Sequence, residues 1–289
     1  MAATFPPQPF FTLFGSFYHC RFALRCNDIP VCAHDVSGRE MHVDMPVNLH
    51  LLPGRNVLEV SLAPAVVGGV ATPLDHRDVS AALQLAVRTQ GVSYEHAQLL
   101  GGLSFADGAL RGEDAAAPAL LSEPSGAPWV AQGPADRLVL RCALTLATPL
   151  GPWLWAGATP LTLDASTVSE VIGLYRQFWA AMQAKDGAAL RAMSEANALE
   201  AQQAFYLPSL DDGHKLLDLE GLARRSSVRL LPMPTEGLRV ELLAEGRLAR
   251  LVGADGHSAI RVVDDETGFG GAVSVMYCKL PARGWVQIR

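Results

Sequence analysis

The stretch Asp164-ASTVSEVIGLYRQFWAAMQAKDGAA-Leu190 decides how this chain is organised. Val168, Val171, Ile172, Tyr175, Phe178, Trp179 and Met182 recur at intervals of three and four, the period of a helix with one buried face. Thr167 and Glu170 have the spacing of a capping box at its start. Lys185-Asp186-Gly187 interrupts the pattern, and Asp186 is placed to cap a second helix carrying Leu190 and Met193. Everything before this stretch reads as strands and turns. The helix therefore divides the 289 residues into a front domain over 1–160 and a rear domain over 165–289, in keeping with domains of ~150 residues.

In the front part, Tyr18, Cys20, Phe22, Leu24 and Cys26 alternate with His19, Arg21, Ala23 and Arg25, the period of a strand with one buried face. The alternation returns at Leu58, Val60 and Leu62, at Val79 to Val87, and at Leu138 to Leu146. Strands punctuated by Gly and Pro with no helix between them predict an antiparallel β-sandwich. Gly102 to Asp136, rich in Ala, Pro, Gly and Ser, reads as a long loop. In the rear part, a short helix is expected across Leu216 to Arg224. Strands are expected at Val228–Leu231, Leu238–Leu243, Leu248–Val252, Ala259–Val263, Ala272–Leu280 and Trp285–Ile288. Helices first and a curved antiparallel sheet second make an α+β domain.

The run Ile172-Gly-Leu-Tyr175-Arg-Gln-Phe178-Trp179-Ala-Ala-Met182, followed by Lys185-Asp186-Gly187 and Leu190, resembles the opening two helices of NTF2-like (SnoaL-like) domains. The resemblance covers about 25 residues directly and the next 100 by element order. It implies a cone of helices over a curved sheet and a pocket within it. That family holds isomerases, dehydratases and many non-enzymatic binding proteins. Its usual catalytic dyads have no counterpart at defined positions here.

Composition narrows the function classes. The formal charge is −6, and residues 1–164 hold 9 Arg against 14 acidic residues while residues 165–289 hold 14 basic against 15 acidic. Neither half has the cationic excess needed to neutralise phosphates, so nucleic acid is not expected as a partner, and an acidic front suits a basic protein. The 20 Arg against three Lys reflect a GC-rich bacterial coding bias. The Pro-rich start is not a signal peptide, and the uncharged run Cys142 to Leu163 is broken by Pro149, Pro152 and Pro160, so no membrane insertion is expected. A cytoplasmic location with five reduced cysteines follows from that reading.

No residue set specifies a reaction. Glu40, His42 and Asp44 would share one strand face and could offer metal ligands, as a solvated polar face also would. Cys20, Cys26 and Cys32 are too far apart along a strand, roughly 20 Å per six residues, to share a metal or a disulfide. Gly256-His257-Ser258-Ala259-Ile260 lacks the closing glycine of a nucleophile elbow, and Gly268-Phe269-Gly270-Gly271 is a hairpin turn with no βαβ context. Two dense polar clusters remain: Asp211-Asp212-Gly213-His214 and Asp264-Asp265-Glu266, both read as turns, with Arg224-Arg225 available to pair with either. Trp129, Trp153 and Trp155 lie near the expected boundary and suit either burial between domains or an interface anchor.

The expectation is a non-enzymatic protein-binding module of immunity or antitoxin type, needing no catalytic residues, metal or cofactor and compatible with a homodimer. Its partner contacts are assigned to Asp211, Asp212, His214, Asp264, Asp265 and Glu266. The competing expectations are an isomerase or dehydratase drawing its acid or base from the same clusters, and a carbohydrate-binding or secretion-accessory sandwich.

Overall fold

The computed structural model describes residues 5–113, 130–132, 137–147, 150–268 and 270–288. The chain forms two compact units, Met1–Gly151 and Pro152–Arg289. Among the described residues every strand pairing is antiparallel and all four α-helices lie in the second unit, an α+β composition.

The first unit contains β1 (Pro9–Cys26), β2 (Ile29–Pro46), β3 (Gly54–Pro64), β4 (Val66–Val67), β5 (Val70–Ala71), β6 (Ser80–Thr89), β7 (Gln98–Ala106), β8 (Ala109–Glu113), β9 (Val130–Gln132) and β10 (Leu138–Leu146). Eight of them join one sheet, and β4 pairs with β5 apart from it. Strand β1 holds the sheet together. One edge pairs with β2 from Thr12 to Cys26. The other pairs with β6 up to Tyr18 and with β3 from Cys20 onward. Between them His19 sits at φ 51° and the register with β2 slips, the mark of a bulge.

The rings of Phe17 and Phe22 stack with centroids 3.7 Å apart. In a straight strand five residues would separate them by ~16 Å and put them on opposite faces. Strand β1 therefore folds back at His19 and curls the sheet. Because β1 passes from β6 to β3 across this bulge while keeping β2 on its other edge, all eight strands belong to one large curled antiparallel sheet. Side-chain alternation reports which residues are buried and carries no information on where a ladder breaks. The alternating rows themselves are inside: Leu58, Val60, Leu62, Leu83, Leu85, Leu140 and Leu144 are buried, as are Cys20 and Cys26.

Gly102 to Glu113 is not loop. It belongs to the β7–β8 hairpin, closed by Asp107 and Gly108 with φ 52° and 72°, the left-handed pair that a type I′ turn requires. The Asp-Gly signal was masked by the small-residue composition around it. Residues 114–129 and 133–136, with Trp129, lie outside the described residues.

The second unit contains α1 (Ala165–Gln183), α2 (Gly187–Ala204), α3 (Leu210–Leu217) and α4 (Leu219–Arg224). It continues with β11 (Val228–Leu230), β12 (Arg239–Leu243), β13 (Leu248–Val252), β14 (Arg261–Asp264), β15 (Gly270–Ala272), β16 (Tyr277–Leu280) and β17 (Gly284–Gln287). The strands form two sheets, β11-β14-β15 and β12-β13-β16-β17. The expected Ala272–Leu280 strand is two strands, β15 and β16, joined by a buried stretch in which the Val273 N–H donates to the Ile260 carbonyl at 2.9 Å and the Met276 carbonyl accepts from the Ile288 N–H at 3.0 Å.

Helix α1 buries Val171, Tyr175, Phe178 and Met182 against Val240, Leu251, Ile260 and Tyr277. The Tyr175 hydroxyl donates to the Val275 carbonyl, and that of Tyr277 to the Leu174 carbonyl at 3.4 Å. Trp179 is half-buried, its indole N–H donating to Leu231 at 2.9 Å.

The caps differ in one respect from expectation. Asp186 caps α2, accepting from the Ala189 N–H. At α1, however, Asp164 is the cap, accepting from the Thr167 N–H at 2.8 Å. Glu170, freed from a capping box, accepts from Ser166 Oγ, Lys279 Nζ and the Trp285 indole, tying α1 to the β16–β17 hairpin.

The segment after Gly151 packs with the rear unit. Trp153 and Trp155 are 1% and 3% exposed, so neither is an exposed interface anchor. The Leu154 N–H donates to the buried Glu200 on α2, Thr159 bonds to Lys279, and Leu161 bonds to Gly246. Among the described residues no helix is long and apolar enough to cross a membrane.

Candidate functional site

Both carboxylate clusters lie beside α4, on different sides of it. Asp211-Asp212-Gly213-His214, expected as a turn, is the first turn of α3: Ser209 caps it by accepting from the Asp212 N–H, and the two acids sit where the helix dipole favours negative charge. A Cβ on Gly213 would stand 2.2 Å from the Ala198 carbonyl oxygen, so α2 and α3 meet backbone to backbone there. Asp218, at φ 48°, ends α3 and admits α4 at once.

The charges of these helices are spent on one another. Asp211 accepts from Arg191 at 2.8 Å and pairs with Lys215 at 3.0 Å, while Asp212 pairs with Lys215 at 3.2 Å. Glu220 pairs with Arg224 at 2.6 Å, and Arg225 with Asp218. Arg224 and Arg225, expected to pair with one of the two clusters, pair instead with Glu220 of α4 and Asp218 of the α3–α4 corner, which lie nearer along the chain. Hydrogen bonds from Arg191 and then Lys215 hold the Asp211 carboxyl below its ordinary range, and those from Ser209 and Lys215 do the same for Asp212. Partial burial, and next the Arg191 cation, push the His214 imidazole down. His214 lines a shallow cleft of about 210 Å³ with Arg191, Ser194, Glu220 and Arg224.

The second cluster is a turn, as expected. Asp264 closes β14 and accepts from the N–H groups of Glu266 and Thr267. Asp265 makes a two-point contact with Arg229, at 3.0 and 3.3 Å, and Glu266 is exposed. Asp265 also lines a cleft of about 350 Å³. Helix α4 walls both clefts, giving Leu219 to Gly221 to the first and Leu222 and Ala223 to the second.

A carboxylate with a depressed pKa is a poor proton acceptor, and Asp211 and Asp212 lie on the outside of the helical layer. The core of the second unit is filled by Tyr175, Phe178, Leu251 and Ile260, each fully buried. In the first unit, Glu40 and His42 are exposed and 3.7 Å apart, and Asp44 accepts from the Tyr94 hydroxyl. Among the described residues no three His, Cys, Asp or Glu side chains converge as a metal site would require. Burial raises the Cys32 thiol to about 11, which leaves it a weak nucleophile at neutral pH. Around His257, the chain turns between β13 and β14 with Asp255 paired to Arg261.

The sequence reading passed over one feature. Strands β4 and β5 form a small hairpin turned by Gly68 and Gly69, at φ 59° and 83°. Its Val66, Val67 and Val70 are 44%, 51% and 71% exposed. Glycines flanked by valines were the available signal, since a Gly-Gly pair supplies both left-handed positions of a two-residue hairpin. Elsewhere in the first unit, Phe14 and Tyr94 meet edge to face at 82°.

Compared with models of protein families, with curated proteins and with solved structures, the chain matches none.

Proposed function

We propose that this protein works by binding another protein and carries out no chemistry of its own. The exposed valine hairpin carries the reading. Of the eight large hydrophobic side chains exposed among the described residues, three lie within five positions on a hairpin outside the main sheet. Exposed apolar side chains are common when scattered, and their concentration on one projecting element marks a contact surface. In this reading Val66, Val67 and Val70 enter an apolar recess of the partner, and the acidic excess of the front half favours one with a basic rim.

The rear unit is read as an NTF2-like domain, supported by the order of two long helices, two short ones and an antiparallel set of strands. Its clusters Asp211, Asp212, His214 and Asp264, Asp265, Glu266 are the polar surface of that domain, and compensation by Arg191, Lys215 and Arg229 makes them subordinate to the hairpin. An immunity-like or antitoxin-like neutraliser is the concrete form of this proposal. The test compares the unaltered chain with Val67→Asp/Val70→Asp as baits in the native host. The expected result is a stoichiometric partner retained by the first and lost by the second, with both baits equally folded. A partner held equally by both removes the hairpin from the reading, and a bait that holds none removes the reading itself.

A further inference from the structure

The cleft on the far side of α4 has the composition of a ligand site. Its floor is Met182, which is buried, with Leu222, Leu230 and Val262, all half-buried. Its rim carries Lys185, Arg229 and Asp265. At about 350 Å³ it falls in the size range of small-molecule pockets.

The charges on that rim do not cancel. Arg229 and Asp265 satisfy each other. Of the three lysines in the chain, Lys215 pairs with Asp211 and Asp212, and Lys279 with Glu170. Lys185 has no carboxylate partner among the described residues. Nor does its side chain serve the end of α1: the backbone closes that end itself, through Ala184 N–H to Ala180, Lys185 N–H to Met182 and Asp186 N–H to Ala181. Lys185 occupies the left-handed position there, at φ 53°, where Gly or Asn is the usual residue. A long cation at that position stands beside an apolar floor with one unmatched positive charge.

We infer that this cleft binds a small apolar monocarboxylate, its hydrocarbon part on Met182, Leu222, Leu230 and Val262 and its carboxylate at Lys185. The complementarity is specific in sign and number: one net positive charge takes a monoanion, and a neutral or cationic analogue of the same length gains only the apolar contact. The site is separate from the valine hairpin and stands or falls independently of protein binding.

The experiment titrates the full chain with octanoate, octanol and octylamine by calorimetry and by amide chemical shifts. Octanoate is expected to bind one to one, shifting signals of Met182 to Asp186 and Leu222 to Leu230, and to bind more tightly than octanol, with octylamine weakest. Lys185→Asn keeps the left-handed backbone and removes the charge, and should weaken octanoate about tenfold while leaving octanol unchanged. Ser226→Trp, at an exposed position on the cleft wall, should block all three. Absence of saturable octanoate binding, equal binding by Lys185→Asn, or binding that survives Ser226→Trp overturns the inference. Val67→Asp/Val70→Asp should bind octanoate as the unaltered chain does.

Discussion

Replacing Gly213 by Ala tests how α3 is held and thereby how the cluster it carries is placed. In an exposed helix interior this change stabilises, since Ala exceeds Gly in helix propensity by about 1 kcal/mol. Here the new methyl would meet the Ala198 carbonyl oxygen at 2.2 Å, with the Ala198 carbonyl carbon at 3.0 Å behind it. No flexible side chain stands in the way to give ground, so the two helices must part by on the order of 1 Å, and close-packed interiors resist that. Overpacking of this kind costs about 1–3 kcal/mol, and a backbone obstacle belongs at the upper end. After the propensity gain, the expected net loss is about 2 kcal/mol. Gly173 in α1 is the control: its Cβ would meet nothing within 4 Å, so Gly173→Ala should stabilise by about 0.5–1 kcal/mol. The assay is urea unfolding followed by tryptophan fluorescence, which reports mainly on the second unit because Trp153, Trp155, Trp179 and Trp285 belong to it. Gly213→Ala at or above the stability of the parent would refute the backbone contact between α2 and α3. It would also remove the basis for placing Asp211 beside Arg191.

Two further outcomes follow from the packing. The Glu170 carboxyl is held below 4.5 by the hydrogen bond from Trp285 and then by that from Lys279, so its contribution to stability is complete above that value and is lost as pH falls through the lower folded-state value; melting temperatures between pH 7 and pH 3 should fall less steeply for Glu170→Gln, and identical slopes would show that the carboxylate contributes nothing. A fragment starting at Pro152 should unfold cooperatively, whereas one starting at Ala165 loses two buried tryptophans and should be less stable by at least about 3 kcal/mol, so equal midpoints for the two would mean that Trp153 and Trp155 add nothing to the rear core.

The local periods of the sequence were sufficient to find helices, strands and their buried faces, because the periods of 3.6 and 2 are properties of the backbone and each apolar residue must be hidden wherever its element goes. Tyr175, Phe178 and Met182 were thus legible as core, as were Leu58, Val60 and Leu62. Asp186 was legible as a cap, since a cap involves only residues within one turn. The tertiary structure alone decided where strand β1 folds back, since the stacking of Phe17 on Phe22 depends on one bulge at His19. It also decided what the charged residues do. Glu170 faces a hairpin more than 100 positions away, Arg191 reaches Asp211 across two helices, and Lys185 alone of the lysines is left beside an apolar cleft. Charge pairing depends on distances between elements, and no pattern along the chain encodes those until the core has set the elements against each other.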